Sequence, residues 1–158
     1  MNFTRFLPFA AVAIGLVAGS QAHSVALQYG KYYDETVVQD ALACNPTFCR
    51  MYFSQLPANK LVMIRKVHCT FISAKPMLRA ALNIAATSGG GSAISRHLPL
   101  TMIKDPAVSP NTFFHATVDV ETQWLVGQGR FPFVELEKSD TGASFSDCTL
   151  IGEMVDPI

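Results

Sequence analysis

The segment from residue 61 to residue 71 constrains the fold most, because apolar and polar side chains alternate along much of it. Successive side chains of a β-strand point to opposite faces of the sheet, so period-two alternation predicts a strand with one buried and one solvated face. The four residues that open the segment are all apolar. The later apolar positions are Val67, Cys69 and Phe71, and the polar positions between them are Lys66, His68 and Thr70.

The residues upstream of this strand indicate its partner. The sequence "FCRMYFSQL" also alternates in part, and the "PANK" that follows it carries turn-forming residues. Two alternating runs separated by a turn are typical of a β-hairpin. We therefore predict a hairpin formed by residues 48–56 and 60–72.

Four further segments alternate in the same way, and links rich in Gly, Pro, Ser and Asp separate them. Pro132 favours an edge position for its strand, because proline has no backbone N–H to donate. Gly152 marks a candidate bulge. Short strands with such links predict an all-β fold, an antiparallel β-sandwich of the jelly-roll type. The segments are "ISRHLPLTM", "FHATVDVE", "FPFVELEK" and "DCTLIGEMV".

Two regions are less clearly patterned. Residues 77–86, "MLRAALNIAA", fit a helix because alanine and leucine favour one, and they also fit a strand because the apolar side chains alternate. We expect a strand, since the neighbouring segments are strands. Residues 23–43 alternate weakly, and "YYDETVV" within them fits either an edge strand or an arm on the surface.

The N-terminal segment resembles an export signal. Arg5 is followed by an apolar run from Phe6 to Ala18 and then by small residues that include Ser20 and Ala22. This order is typical of a cleaved secretory signal, and the run is shorter than the ~20 apolar residues that a membrane anchor needs. We expect residues 1–22 to be removed and residues 23–158 to form a single domain in the periplasm or the extracellular space.

Charge argues against two classes of partner. The chain has 12 basic and 12 acidic residues and no basic stripe, so we expect no nucleic acid to bind. After the signal there is no second apolar run long enough to span a membrane. Any partner is therefore expected to be a protein or a glycan.

The chain has four cysteines, an even number in a chain with an export signal. Oxidising compartments favour disulfides, whereas a zinc site would need paired short spacings such as C-x2-C. Here "CNPTFC" has a C-x4-C spacing and the other two cysteines stand alone. We predict disulfides at all four positions, which are Cys44, Cys49, Cys69 and Cys148.

The pairing is predicted from local geometry. A turn at Asn45-Pro46 can bring Cys44 and Cys49 together. Cys69 and Cys148 both fall on the apolar face of an alternating strand, so we expect them to meet in the core of the sandwich. A bond between Cys49 and Cys69 across the predicted hairpin is the alternative.

Two sets of residues that each contain a histidine are candidates for a catalytic or metal site. His68 adjoins Cys69 in sequence, but strand alternation directs it to the opposite face, so we assign it no function. His115, Asp119 and Glu121 share one face of a strand, where they could ligate a metal or flank a substrate. A solvated strand face also carries such residues without any site. The sequence contains no G-x-S-x-G, no H-E-x-x-H and no phosphate-binding loop that opens a helix.

Aromatic side chains are the candidates for contact with a partner. Trp124 and the "FPF" of residues 131–133 could be exposed and could stack on sugars, but we interpret them as core residues. The cluster of Tyr29, Tyr32 and Tyr33 lies in a weakly patterned region and is the better candidate for an exposed surface.

Two segments carry a resemblance to known proteins. The sequence "LPANKLVMIRKVHC", followed far downstream by "DCTLIGEMV", resembles small exported bacterial proteins of unassigned function. The resemblance covers residues 48–155. It implies a β-sandwich in which Cys69 and Cys148 are matching positions, and it implies no activity.

The sequence therefore predicts an exported, non-enzymatic β-sandwich that acts as a binding or structural interaction module with an unknown ligand. Loops at residues 86–93, 104–112 and 123–130 are expected to carry the binding surface, because loops on a rigid scaffold often do. No residue is assigned a catalytic, cofactor-binding or metal-ligating role. The alternative is a small exported hydrolase or metal-dependent enzyme that uses the histidine and carboxylate face of residues 115–121.

Overall fold

The computed structural model describes residues 26–40, 44, 46–90, 93–105 and 113–157. The predicted signal segment, residues 1–22, lies outside these ranges, as does most of the predicted loop at 104–112. No helix in the described ranges has the length and hydrophobicity that a bilayer crossing requires.

Ten strands and one short 3-10 helix, Ser88–Gly90, make up the described structure. Residues 77–85 form a strand rather than a helix, as expected. In chain order the strands are β1 (Leu27–Tyr29), β2 (Tyr32–Gln39), β3 (Phe48–Tyr52), β4 (Leu61–Ser73), β5 (Met77–Ala85), β6 (Ala93–Leu100), β7 (Met102–Lys104), β8 (Phe114–Val126), β9 (Phe131–Lys138) and β10 (Ser144–Val155).

The strands form two antiparallel sheets. One sheet has six strands in the order β1-β2-β10-β4-β8-β7, and the other has four in the order β3-β9-β5-β6. The chain passes repeatedly from one sheet to the other, and only β1–β2, β5–β6 and β7–β8 are successive strands that pair directly. Without the short edge strands β1 and β7, the two four-stranded sheets have the connectivity of a jelly roll. The predicted fold class is confirmed.

The inward faces of the two sheets share one core. The buried side chains of β4 and β10 belong to the same apolar cluster as those of β5 and β9. Each large apolar side chain that is fully buried in this way contributes about 1.5–3 kcal/mol. Among the largest are Phe71, Ile64, Leu82, Leu136 and Leu150, all exposed by no more than 1%.

The predicted hairpin of residues 48–56 and 60–72 is wrong. Strand β3 pairs with β9, while β4 lies in the other sheet between β10 and β8. The link between them crosses from sheet to sheet, and its Phe53 and Leu56 side chains are buried. Their N–H groups donate to the carbonyls of Pro132 and Arg130, at 3.0 and 2.8 Å. Alternation indicates which face of the sheet a residue occupies, but it does not determine which strand lies next to it.

A bulge in β4 shifts the inward face of the strand after the four apolar residues that open it. Val62 and Ile64 point inward before Arg65, and Val67 points inward after it, so the inward phase shifts by one residue. The pairing with β10 shifts at the same place, between Ile151 and Gly152. The irregularity therefore falls at Gly152, as predicted, although the extra residue is Arg65 on the partner strand.

The edge position predicted for the strand that contains Pro132 is also wrong. Strand β9 lies between β3 and β5. The Pro132 carbonyl accepts from Phe53, the residue after the last residue of β3. The nitrogen and carbonyl of one residue face the same neighbour in an antiparallel ladder, so the missing N–H of Pro132 falls where β3 has ended.

Two other segments are refined by the structure. The region "YYDETVV" is strand β2, which pairs with β1 on one side and β10 on the other, so β1 is the edge strand and β2 is not. Gly30 forms the turn between β1 and β2 with a φ of 62°, a value that glycine adopts readily. The segment "ISRHLPLTM" divides at Thr101 into β6 and β7, which lie in different sheets.

Both predicted disulfides are present. Cys44 and Cys49 have Cα atoms 5.1 Å apart and close the short loop between β2 and β3. Cys69 and Cys148 are bonded with Cα atoms 4.1 Å apart. They lie directly opposite each other on the neighbouring strands β4 and β10, so the bond staples two strands of one sheet rather than crossing the sandwich. The alternative pairing of Cys49 with Cys69 does not occur.

Candidate functional site

The histidine and carboxylate face predicted on β8 exists, but its members are not brought together. His115, Asp119 and Glu121 all point outward from the six-stranded sheet and are exposed. Opposite them on β4 stand Ile72, His68 and Lys66 respectively. Among the described residues, no group of three or more His, Cys, Asp or Glu side chains is placed to hold a metal ion.

Asp119 forms an ion pair with Lys66. Its carboxylate lies 2.7 Å from the Nζ of Lys66 and 3.7 Å from the Nδ1 of His68. The hydrogen bond from Lys66 lowers the pKa of Asp119, and the same bond raises the pKa of Lys66. His68 is about half exposed and points away from the Cys69 disulfide, as the alternation predicted.

A shallow depression of about 440 Å³ lies beside the bulge on this face. It is lined by Arg65, Lys66, Glu121, Thr122 and Gln123. Arg65 is also within 3.6 Å of Glu153. Only one member of the predicted trio, Glu121, borders this depression.

The tyrosine cluster divides between surface and core. Tyr29 and Tyr32 are 67% and 56% exposed, as expected for a contact surface, whereas Tyr33 is only 1% exposed. The Tyr33 hydroxyl donates to the buried carboxylate of Glu35, and burial raises the Tyr33 pKa well above its usual value. Tyr33 alternates with Tyr32 along β2 and therefore belongs to the inner face.

The other aromatic candidates are mostly packed, as interpreted. Trp124 packs against the core at its edge, and the Arg96 guanidinium lies 5.2 Å from its ring centroid. Phe133 is only 2% exposed, although it lies on the outer face of the four-stranded sheet. The Tyr52 ring and the Arg50 guanidinium cover the Phe133 ring.

That outer face of the four-stranded sheet contains a groove that the sequence did not predict. Short Ala81 on β5 stands between Glu135 on β9 and Pro99 on β6. A short side chain surrounded by longer ones leaves a depression, here of about 210 Å³. We call it the β5 groove, and its lining residues are Arg79, Ala81, Asn83, His97, Glu135 and Glu137.

The charges around the β5 groove are paired. The Nε of Arg50 lies 2.6 Å from the Oε2 of Glu135, and this hydrogen bond raises the Arg50 pKa. Arg79 forms the equivalent ion pair with Glu137. Each carboxylate stands opposite its arginine on a neighbouring strand, because β9 lies between β3 and β5. The ion pairs fix the orientation of both carboxylates at the groove.

An aromatic plate adjoins the groove. Tyr52 is 41% exposed, and its ring packs on Phe133 with centroids 5.7 Å apart. The Arg50 guanidinium lies 5.5 Å from the Phe133 centroid, and Gly90 approaches the same ring closely. We call Tyr52 and Phe133 the aromatic plate. It lies in the same cross-strand row as Asn83 and His97.

The residues of the β5 groove come from three strands, β5, β6 and β9, which meet only through the sheet register. One local signal is the alternation of Glu135 and Glu137 in "VELEK", and another is that of Arg79, Ala81 and Asn83 in "RAALN". Each run places its members on one face of its strand. Asn83 and His97 are brought together by the β5–β6 pairing. Of the loops expected to bind, residues 123–126 belong to β8, and the turn that follows packs against the β3–β4 link through the bond from Gly129 N–H to the Pro57 carbonyl.

The β5 groove presents fixed donors and acceptors above an apolar floor. Arginine and asparagine donate, carboxylates accept, and the imidazole of His97 can do either. Such an arrangement suits recognition of a small polar ligand. No protein-family model matches the chain, and no curated protein matches it either.

Proposed function

We propose that this protein is an exported, non-enzymatic binding module and that the β5 groove is its binding site. The observation that carries the proposal is the convergence of polar side chains from three strands around Ala81. Strands hold side chains more rigidly than loops do, so the groove is organised before a ligand arrives.

Export is supported by two features. The first residues have the order of a secretory signal, and all four cysteines form disulfides, which persist in oxidising compartments. The resemblance of residues 48–155 to small exported bacterial proteins agrees with this location. A ligand of the envelope or of the surrounding medium is therefore the one to seek.

The alternative, an enzyme that uses His115, Asp119 and Glu121, has weaker support. The three side chains lie on separate cross-strand rows of an exposed face, and Asp119 is bonded to Lys66. A general base or a metal centre requires its groups to converge on one reacting atom. The β5 groove has the converging arrangement that this face lacks.

Ligand-dependent thermal stabilisation tests the proposed function. A ligand that binds only the folded protein raises Tm, and the increase grows with the logarithm of the ligand concentration above Kd. The purified protein is screened against neutral saccharides, polyamines, dicarboxylates and short peptides. We expect at least one class to raise Tm.

Two leucine variants show where that ligand binds. Ala81→Leu fills the groove without altering charge, and Thr117→Leu makes a similar outward substitution on the other sheet. The ligand should stabilise the Thr117→Leu protein and the parent equally but should not stabilise Ala81→Leu. If no class raises Tm, or if Ala81→Leu responds like the parent, the groove is not the binding site.

A further inference from the structure

We infer that the ligand of the β5 groove is a neutral saccharide, with one sugar ring in the groove and the next on the aromatic plate. The inference rests on the proposed function, because it names the ligand class of the same site. Charge, hydrogen-bonding capacity and shape each support it.

Charge pairing disfavours an ionic ligand. Glu135 and Glu137 are each bonded to an arginine, so the groove offers neither an unpaired anion for a cationic ligand nor an unpaired cation for an anionic one. A charged ligand would have to displace one of these partners and leave it partly desolvated. A neutral ligand can bind while both ion pairs remain intact.

The hydrogen-bonding groups suit vicinal hydroxyls. A hydroxyl group both donates and accepts, and the groove places acceptors and donors within one small depression. The carboxylates of Glu135 and Glu137 face the groove from β9, while Arg79 and Asn83 face it from β5. The Asn83 amide donates to the Ala81 carbonyl at 3.2 Å, which fixes the amide orientation. Planar groups held in this way can each contact two adjacent hydroxyls.

The size and the apolar surfaces suit a sugar ring. The groove volume of about 210 Å³ is below the roughly 300 Å³ at which pockets for drug-sized ligands begin. The floor of the groove is the methyl group of Ala81, which is apolar, as is one face of a pyranose ring. Beyond the Glu135 row, Tyr52 lies on Phe133 and presents an exposed ring on which a second sugar can stack.

A glycan array followed by calorimetry tests the inference. The purified protein is applied to an array of neutral and charged glycans, and the neutral oligosaccharide with the strongest signal is titrated calorimetrically. Spermidine and citrate serve as the cationic and anionic comparison ligands. We expect saturable binding of the neutral oligosaccharide and none of spermidine or citrate.

Variants locate the saccharide on the groove and the plate. Ala81→Leu should abolish measurable binding, because its side chain fills the groove. Tyr52→Ala should weaken binding of a trisaccharide by about tenfold, a loss typical of a truncated aromatic anchor, and should affect a monosaccharide much less. Thr117→Leu, on the outer face of the six-stranded sheet, should bind like the parent.

Ionic strength distinguishes a neutral ligand from a charged one. Raising NaCl from about 0.1 M to about 1 M shortens the Debye length from about 10 Å to about 3 Å. We expect Kd for the saccharide to change by less than about twofold over this range.

Three other outcomes would contradict the inference in part or as a whole. Saccharide binding that survives Ala81→Leu would contradict the assignment to this groove. Groove-dependent binding of spermidine, citrate or a peptide without any neutral glycan would overturn the ligand class and leave the binding function intact. Binding of no ligand of any class would overturn both.

Discussion

Lys138 is the most unusual single residue of the protein, because a lysine side chain with no exposed surface is rare. Its ammonium donates to the Cys44 carbonyl at 2.9 Å, to the Ser144 hydroxyl at 3.1 Å and to the Gly142 carbonyl. All three donors are thus used by neutral acceptors. The side chain ties the loop closed by the Cys44–Cys49 disulfide to the turn between β9 and β10.

Replacing Lys138 by methionine should destabilise the protein by about 1–3 kcal/mol at pH 7, because its acceptors lose their donor inside the protein. The loss is smaller than a sum over three bonds, since burying the charge is itself costly. Lys31→Met is the matched control, because that lysine is largely exposed and its ion pair with Glu153 is long. Urea unfolding of both variants measures the difference, and equal midpoints would contradict the structural role of Lys138.

The stability that Lys138 contributes should increase with pH. Burial lowers the pKa of Lys138 below its ordinary value of 10.5. Between the lowered folded pKa and the unfolded pKa, the unfolded state binds more protons, so the free energy of unfolding rises with pH in that window. The deficit of Lys138→Met relative to the parent should therefore widen as the pH rises toward 10.5. A deficit that narrows toward alkaline pH would contradict the sign of this shift.

At the scale of single strands, the bulge between β4 and β10 depends on Gly152. A Cβ added to Gly152 would lie 2.7 Å from the backbone oxygen of Met63, which cannot move without breaking the ladder. Gly152→Ala should therefore cost about 1–3 kcal/mol, the usual range for overpacking. Gly127→Ala is the control, since its added Cβ would meet nothing closer than the Arg130 side chain at 3.7 Å. Thermal unfolding of the two variants compares them, and equal Tm values would show that the close approach carries no strain.

The Cys69–Cys148 disulfide staples β4 to β10 across a sequence separation of 79. The chain-entropy treatment gives roughly 4.5 kcal/mol for a loop of this length, as an upper figure. Cys69→Ala should lower stability by several kcal/mol, whereas His68→Ala, on the opposite face, should change it little. Thermal unfolding with thiol titration measures both. A Cys69→Ala protein that melts like the parent would contradict the staple.

The strands show what alternation can and cannot predict. The alternation in β4, β5, β8 and β10 identified the buried faces, and the faces of β4 and β10 predicted the pairing of Cys69 with Cys148. It did not show that β3 pairs with β9 rather than with β4, because partner choice depends on contacts distant in sequence. Pro132 misled for the same reason, since its tolerance in an inner strand depends on where β3 ends.

The β5 groove was not predicted from the sequence for a related reason: its shape depends on which strands are neighbours. Ala81 matters there because its neighbours on β9 and β6 are longer, and those neighbours follow from register alone. The exposed His115 face was predicted from one strand and was found on that strand. A site built from three strands needs the topology before it can be recognised.

At the scale of the whole molecule, buried polar groups assist the apolar core where the chain crosses between sheets. Glu35 on β2 is almost fully buried and accepts the N–H of Ser54 at 2.7 Å, in the crossing from β3 to β4. Lys138 joins other parts of the chain in a similar way. Both disulfides add to these ties. These contacts hold the two sheets together, and with them the strands that carry the β5 groove.

Three of the four edge strands in the described sheets are very short or contain a proline. The six-stranded sheet ends in β1 and β7, each of three residues, and β6 at one edge of the other sheet contains Pro99. Short edges and edge prolines limit strand-to-strand association between molecules. The proposed binding surface, the β5 groove, lies on an outer face of the sandwich.

Cleavage of the predicted export signal would set the first residue of the mature chain. If residues 1–22 are a cleaved signal, protein recovered from the periplasm or the medium begins at His23. Intact-mass measurement of the oxidised protein should give the mass of residues 23–158 less four hydrogens for two disulfides. A recovered species that retains Met1 would count against cleavage.

We propose that the β5 groove, and not the histidine and carboxylate face of β8, is the binding surface. Amide chemical-shift mapping tests it most directly, because it reports every strand in one titration with the neutral oligosaccharide selected on the array. We expect the largest shifts at Ala81, Asn83 and His97, with smaller ones near Tyr52. Shifts centred instead on residues 115–121 would contradict it.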